Sequence, residues 1–192
     1  MIDLVKIRDN ALPGDIILTG GANALSFLIR NGQRPQTIDG KPSRWSHSLI
    51  YIDSETVAES TLDFEPYEGT GKRLDNGAQF NSLDTLAECD YGQLMCMDWL
   101  TMPQRQDLIT EAKRLIDKGY TYPISGLLGS LLSYWIFGWK SNPLQSRHSL
   151  YCSAFIQEVY NVIPVEFDPK HTARNTCPEM LGRYANCRRV EL

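Results

Sequence analysis

The strongest constraint on the fold is a pair of short alternating segments in the first third of the chain. Ser48-Leu49-Ile50-Tyr51-Ile52 and Thr56-Val57-Ala58-Glu59-Ser60 both read as strands, and Asp53-Ser54-Glu55 between them reads as a turn. A hairpin of this kind cannot stand alone in water and needs further strands or helices to cover its apolar face. Gly14-Asp15-Ile16-Ile17-Leu18-Thr19, closed by Gly20-Gly21, supplies a turn and one more strand, and the stretch around Gly92 to Trp99 another. The chain between Asp63 and Ala87 reads as a long polar connection.

Helical periodicity is clearest in two places. Pro103 to Lys118 carries an apolar stripe of Leu108, Ile109, Ala112, Leu115 and Ile116. Pro103 suits its first turn and Gly119 its C-terminal cap. Ser149 to Tyr160 continues one face through Cys152, Phe155, Ile156, Val159 and Tyr160, with Ser149 the expected N-cap and Asn161 and Pro164 the stop. Shorter helices are expected from Ala22 to Arg30 and from about Thr176 to Tyr184, with a polar loop between Asn31 and Ser43. Strands and helices in this mixture predict an α+β protein, and 192 residues predict a single domain spanning 1–192.

Composition removes several function classes. The formal net charge is −4 and no basic stripe exists, so nucleic acid is not an expected partner. Five cysteines without a Cys-x-x-Cys pair, and three histidines, make no zinc pattern, and neither a metal nor another cofactor is expected. Cys89, Cys96 and Cys187 read as small core residues. The first ten residues contain no apolar run of the kind a secretory signal needs, which predicts a cytoplasmic protein or one exported by a signal-independent route. The segment from Tyr122 to Trp139 lacks charge, but glycines, serines and a proline dilute it. It is shorter than the about 20 apolar residues of a spanning helix. It reads as a buried or groove-lining helix, with contact to a lipid surface as the second reading.

Cys152 is placed for nucleophilic chemistry. A thiolate at the first turn of a helix is stabilised by unpaired N–H groups and the positive end of the dipole. An imidazole beside it lowers the thiol's pKa further and later protonates the leaving group. His47, at the mouth of a strand, is the expected partner. Strand alternation puts it on the face of Leu49 and Tyr51. Glu59 shares that face if the hairpin loop has an odd number of residues, as when Tyr51 pairs with Val57. A two-residue loop puts it on the other face. Trp45, Tyr51 and Tyr151 are candidate substrate-binding aromatics, and for Trp45 a packing role is equally open. Cys177, before Pro178, is the fallback nucleophile. His148 is expected in a loop entering the cysteine helix, and His171 on an exposed loop.

The ordered series of Gly14–Thr19, Ser46-His47-Ser48-Leu49-Ile50-Tyr51, Val57-Ala58-Glu59-Ser60 and Tyr151-Cys152-Ser153-Ala154-Phe155 resembles the circularly permuted papain-like amidases of the NlpC superfamily. The resemblance runs from about Pro13 to Ile163. In those proteins the histidine strand precedes the cysteine helix, and the third catalytic group is often a Glu on the next strand. It implies an antiparallel sheet packed against the nucleophile-bearing helix, with Cys152 the nucleophile, His47 the general base and Glu59 the orienting group. It also implies an amide hydrolase working through a thioester on peptidoglycan-type peptides, with an immunity or delivery protein as partner if the chain is a secreted effector. Ala154 departs from the Gly or Glu common at that position, and the apolar run after Tyr122 is unusual for an enzyme of polar wall peptides. Two further readings stand beside it. One is a lipid acyl hydrolase or acyltransferase of the lecithin:retinol acyltransferase type, which shares the His-then-Cys order and usually has His where Glu59 stands. The other is an inactive binding module on the same fold.

Overall fold

A computed structural model describes residues 1–62, 76–122, 124–136 and 148–192. The protein is α+β. Its strands are β1 (Ile16–Gly20), β2 (His47–Tyr51), β3 (Thr56–Thr61), β4 (Gly77–Ser82), β5 (Tyr91–Cys96) and β6 (Arg188–Glu191). They form one antiparallel sheet in the order β4-β3-β2-β1-β5-β6. The helices are α1 (Leu4–Asn10), α2 (Ala24–Gly32), α3 (Met102–Asp117), α4 (Ile124–Ile136), α5 (Cys152–Tyr160) and α6 (Pro178–Gly182).

The two-residue period of the central strands divides the core. Ile16, Leu18, Ile50, Ala58 and Met95 face one way and pack with Leu108, Ala112 and Leu115 of α3 and with Ala154, Phe155, Ile156 and Val159 of α5. Ile17, Leu49, Tyr51, Val57, Leu94 and Cys96 face the other way, under Ile7 of α1 and Leu83 and Leu86 of a short 3-10 segment. Every residue of β1 is buried because both faces of the sheet are covered.

Helix α3 begins with a capping box between Thr101 and Gln104, with Pro103 in its first turn. Its inward stripe includes Arg105, which the periodicity of apolar residues does not reveal. The guanidinium, 2% exposed, sits 2.9 Å from Asp15 Oδ1 and also donates to the carbonyls of Pro13 and Met97. Asp15, read from sequence as a turn residue, thus ties the β1 turn to α3.

Several expected boundaries shift. The helix bearing Cys152 starts at Cys152 rather than Ser149, and its N-cap is Tyr151, which makes no side-chain capping bond. Ser149 instead sits in a bridge with Thr121, held by hydrogen bonds from Thr121 N–H to His148 and from Leu150 N–H to Thr121. The expected polar connection from Asp63 to Ala87 contains β4 and a 3-10 turn; residues 63–75 lie outside the described residues. Helix α1 and strand β6 were not expected. Both are short and charge-rich, and each is stabilised by packing on the sheet rather than by local propensity.

The apolar run beginning at Tyr122 forms α4, which packs on α2. Residues 137–139 of that run lie outside the described residues. Among the described residues no helix is long and apolar enough to cross a membrane.

Candidate active site

Helix α5 is buried on almost every side, with only Glu158 partly open. It runs between the β2–β3 face of the sheet and the segment Ala173–Asn175. Its start is fixed from three directions. The Ser60 hydroxyl donates to Leu150 O at 2.6 Å, the Ser153 hydroxyl to Thr176 O at 2.6 Å, and the Tyr151 hydroxyl to Arg174 O at 2.8 Å. Cys152 is the first helical residue, so its backbone N–H has no intrahelical acceptor.

His47 opens β2 and Glu59 lies in β3. The hairpin pairs Tyr51 with Val57 and Ile50 with Ala58, a loop with an odd number of residues. Glu59 therefore falls on the face of His47. His47 Nε2 lies 2.5 Å from Glu59 Oε2, and the Asn81 side-chain amide donates to the other carboxylate oxygen at 2.9 Å. With Nε2 committed to Glu59, Nδ1 is the ring nitrogen left for Cys152.

Electrostatics link the three groups. Burial pushes the Cys152 thiol up, but the facing His47, the Ser48 hydroxyl and the Ser153 N–H hold it below the ordinary thiol value. Burial alone lowers the His47 imidazole. The Cys152 and Glu59 anions more than offset that and hold it well above 6.5. Glu59, pushed up by burial, is held below the ordinary carboxylate value by His47 and Asn81. The arrangement is that of a thiolate–imidazolium pair braced by a carboxylate.

Two spaces meet at this centre. An open groove of about 460 Å³ is lined by His47 and by the Gly20–Asn23 turn, Ser46, Thr61, Glu88 and Asp90, among others. A narrow crevice lies on the other side, with Cys152 in its wall together with Ile29, Leu127, Leu131, Tyr134 and Tyr151. Tyr122 borders both. Its hydroxyl has no intramolecular partner, and burial followed by the nearby Cys152 keeps it protonated far above 10.

The other sequence candidates separate clearly. Tyr151 lines the crevice. Trp45 does not reach either space: it is 7% exposed, packed in the main core against Gly182, with the Arg44 guanidinium 4.9 Å over its ring. Tyr51 faces the opposite side of the sheet from α5, in the α1 core. Cys177 is buried with its thiol pushed up to about 12 by desolvation, which disqualifies it as a nucleophile. His148 precedes α5 in a turn, its ring beside Tyr120. His171 is not exposed as expected; its side chain is 8% exposed, edge-on to Tyr134 and 3.4 Å from Asp168.

Sequence reasoning missed Asn81, Ser48, Tyr122 and Cys89. Cys89 is half-buried in the groove wall with burial raising its thiol, rather than in the core. Asn81 and Tyr122 reach the site through the pairing of β4 and the chain crossing before α4, contacts that no local pattern encodes. Among the described residues no group of three or more His, Cys, Asp or Glu side chains could hold a metal. No protein-family model matches the chain, and no curated protein sequence matches it.

Proposed function

We propose that the chain is a cysteine-dependent amide hydrolase on a permuted papain-like fold. The observation that carries the reading is the alignment of Cys152, His47 and Glu59: a thiol with a depressed pKa at a helix start, an imidazole with a raised one, and a buried carboxylate 2.5 Å from its far nitrogen. The His-strand-before-Cys-helix order and the antiparallel sheet under α5 support the fold.

The chemistry follows from the groups in place. Cys152 Sγ attacks the carbonyl carbon and a C–S bond forms. The oxyanion is met by the Cys152 backbone N–H and by the Tyr122 hydroxyl, which has no other partner to give up. His47 passes its Nδ1 proton to the leaving nitrogen as the C–N bond breaks, leaving a thioester and a neutral imidazole. His47 then takes a proton from water, whose oxygen attacks the thioester; the acid leaves and the thiolate returns. Glu59 stays ionised throughout and holds the ring.

General-acid geometry also orients the substrate. The leaving group must lie on the His47 side, in the open groove. That groove offers backbone turns, hydroxyls and the carboxylates Glu88 and Asp90, and its lining includes no Lys or Arg among the described residues. This suits a peptide or amine leaving group, and wall-derived peptides are the first substrates to offer. Purified wild type and Cys152→Ala would be incubated with peptidoglycan stem peptides and simple amides. Product from wild type alone supports the hydrolase. No turnover, together with a Cys152 alkylation pKa at the ordinary value, overturns it.

A further inference from the structure

The crevice beside Cys152 is the feature of the site that a polar peptide does not explain. Its wall contains hydroxyl and amide side chains, yet their hydrogen-bonding capacity is spent inside the protein. The Gln33 amide donates to the carbonyls of Ile29 and Trp45 and accepts from Glu179 N–H. Tyr134 donates to Asn175 O at 2.7 Å, Tyr151 to Arg174 O at 2.8 Å, and Ser130 to the Tyr151 hydroxyl at 3.0 Å. What remains facing the space is Ile29, Leu127, Leu131, Pro178 and the aromatic faces. A peptide backbone placed there would lose its water and find no donor or acceptor in return. An aliphatic chain loses nothing polar.

Position gives the crevice its role. Cys152 lies in its wall and His47 does not; His47 lies in the groove and Cys152 does not. A substrate whose leaving group faces His47 therefore directs its acyl substituent away from the groove, into the crevice. We propose that this crevice receives an aliphatic acyl chain, so that the bond attacked by Cys152 joins an apolar acyl group to a polar leaving group. The proposal rests on the thiol-hydrolase reading above and names the acyl half of its substrate.

The crevice is narrow at rest, at the limit of what one water molecule needs. A chain enters by turning aside the Leu127 and Leu131 side chains, both on α4. That helix carries no charged residue, and its outward side presents Leu128, Leu132 and Trp135 next to Phe27 and Leu28 of α2, all more than half exposed. An apolar chain thus meets apolar surface before it reaches the thiol.

The test is a series of 4-nitrophenyl esters (acetyl, butyryl, octanoyl) offered to the full chain, with acylation of Cys152 followed by intact mass. Acylation is expected to rise on the order of tenfold or more from acetyl to octanoyl, since each buried methylene adds favourable transfer free energy. Leu127→Trp, which fills the crevice, is expected to bring the octanoyl-to-acetyl ratio down towards one. Cys177→Met fills it from the α6 side and serves the same purpose should the first variant not fold. An N-octanoyl amide and monooctanoylglycerol as further substrates tell an acyl amide from an acyl ester, and turnover of either supports the chain site. Equal rates along the series, or a preference for acetyl, overturn the acyl-chain site while leaving the nucleophile standing. No acylation by any ester and an unperturbed Cys152 overturn both.

Discussion

His47 Nε2 and Glu59 Oε2 stand 2.5 Å apart because β2 pairs with β3 through Tyr51↔Val57. A shift of one residue in that register would send Glu59 through the sheet to the α5 side, since successive strand residues alternate faces. Asn81, from the next strand, occupies the second carboxylate oxygen, so the carboxylate cannot turn away from the ring. Glu59 is 5% exposed, and its charge is sustained by these two partners.

Glu59→Gln keeps the shape and a hydrogen bond but removes the charge. The imidazole then loses one of the two anions that raise its pKa, and His47 is protonated over a narrower range. Turnover is expected to fall on the order of 10²–10⁴-fold, with the alkaline limb of the pH–rate profile moving to lower pH. Stability responds as well. A carboxylate lowered in the folded state contributes stability above its unfolded pKa and loses it as pH falls through the folded value. Acid unfolding of the variant should be less steep over that range. An unshifted alkaline limb would show that Glu59 does not act on His47.

The thiolate itself has a pH window. Cys152 is lowered, so its thiolate is lost as pH falls through the folded thiol pKa. His47 is raised, so its proton is lost as pH rises through the folded imidazole pKa. Between the two values the pair is zwitterionic. Iodoacetamide labelling of wild type should titrate below the ordinary value of 9.0, and in His47→Ala the midpoint should move up. The same midpoint in both proteins would exclude His47 as the partner.

Ser48 offers a finer check. It is fully buried in β2 next to His47, its hydroxyl has no hydrogen-bonding partner among oxygen and nitrogen atoms, and it faces the Cys152 sulfur. A buried hydroxyl without a partner destabilises a fold by about 1–3 kcal/mol. It can donate to sulfur more strongly once the thiol ionises. Ser48→Ala should therefore raise the labelling pKa of Cys152 while leaving the unfolding midpoint unchanged or higher. A lower midpoint with an unchanged thiol would make Ser48 a packing residue only.

Much of this architecture is legible in the sequence, for identifiable reasons. The β2–β3 hairpin, α3 and α5 are amphipathic with clean periods, and Cys152 and His47 stand at the ends of such elements, where position alone confers chemistry. Glu59 was conditional because a turn of Asp53-Ser54-Glu55 is compatible with either register, and only the paired strands decide it. Trp45 and Tyr51 were misplaced because an aromatic beside a catalytic residue carries no sign of which face it takes. Trp45 is turned into the core by the close approach of Gly182 from the far end of the chain. Asn81 and Tyr122 were invisible because their roles exist only after distant segments meet.

Tyr122→Phe separates transition-state from ground-state binding. The hydroxyl is protonated at every working pH and has no intramolecular partner, so its removal leaves the resting protein intact. If it meets the oxyanion, kcat should fall about 10²–10³-fold with KM little changed. A rise in KM at constant kcat would assign Tyr122 to substrate binding.

The anchor of the β1 turn lies away from the reacting groups and tests the scaffold. Asp15 and Arg105 are 1% and 2% exposed and 2.9 Å apart, and Asp15 also accepts from Leu12 and Met97 N–H groups. Replacing one member of a buried pair strands the other charge in a medium that cannot solvate it. Asp15→Ala should cost about 3–5 kcal/mol, read as a lower denaturant midpoint. The double variant Asp15→Ala with Arg105→Met leaves no stranded charge, because Met fills much of the guanidinium's path with apolar atoms. It should recover part of that loss. Because β1 pairs with β2 through Thr19↔His47, loosening the turn should also slow turnover in the single variant at temperatures where the protein is still folded. Equal stability of the single variant and wild type would mean that Arg105 finds water or another anion, and that the pair does not hold β1 to α3.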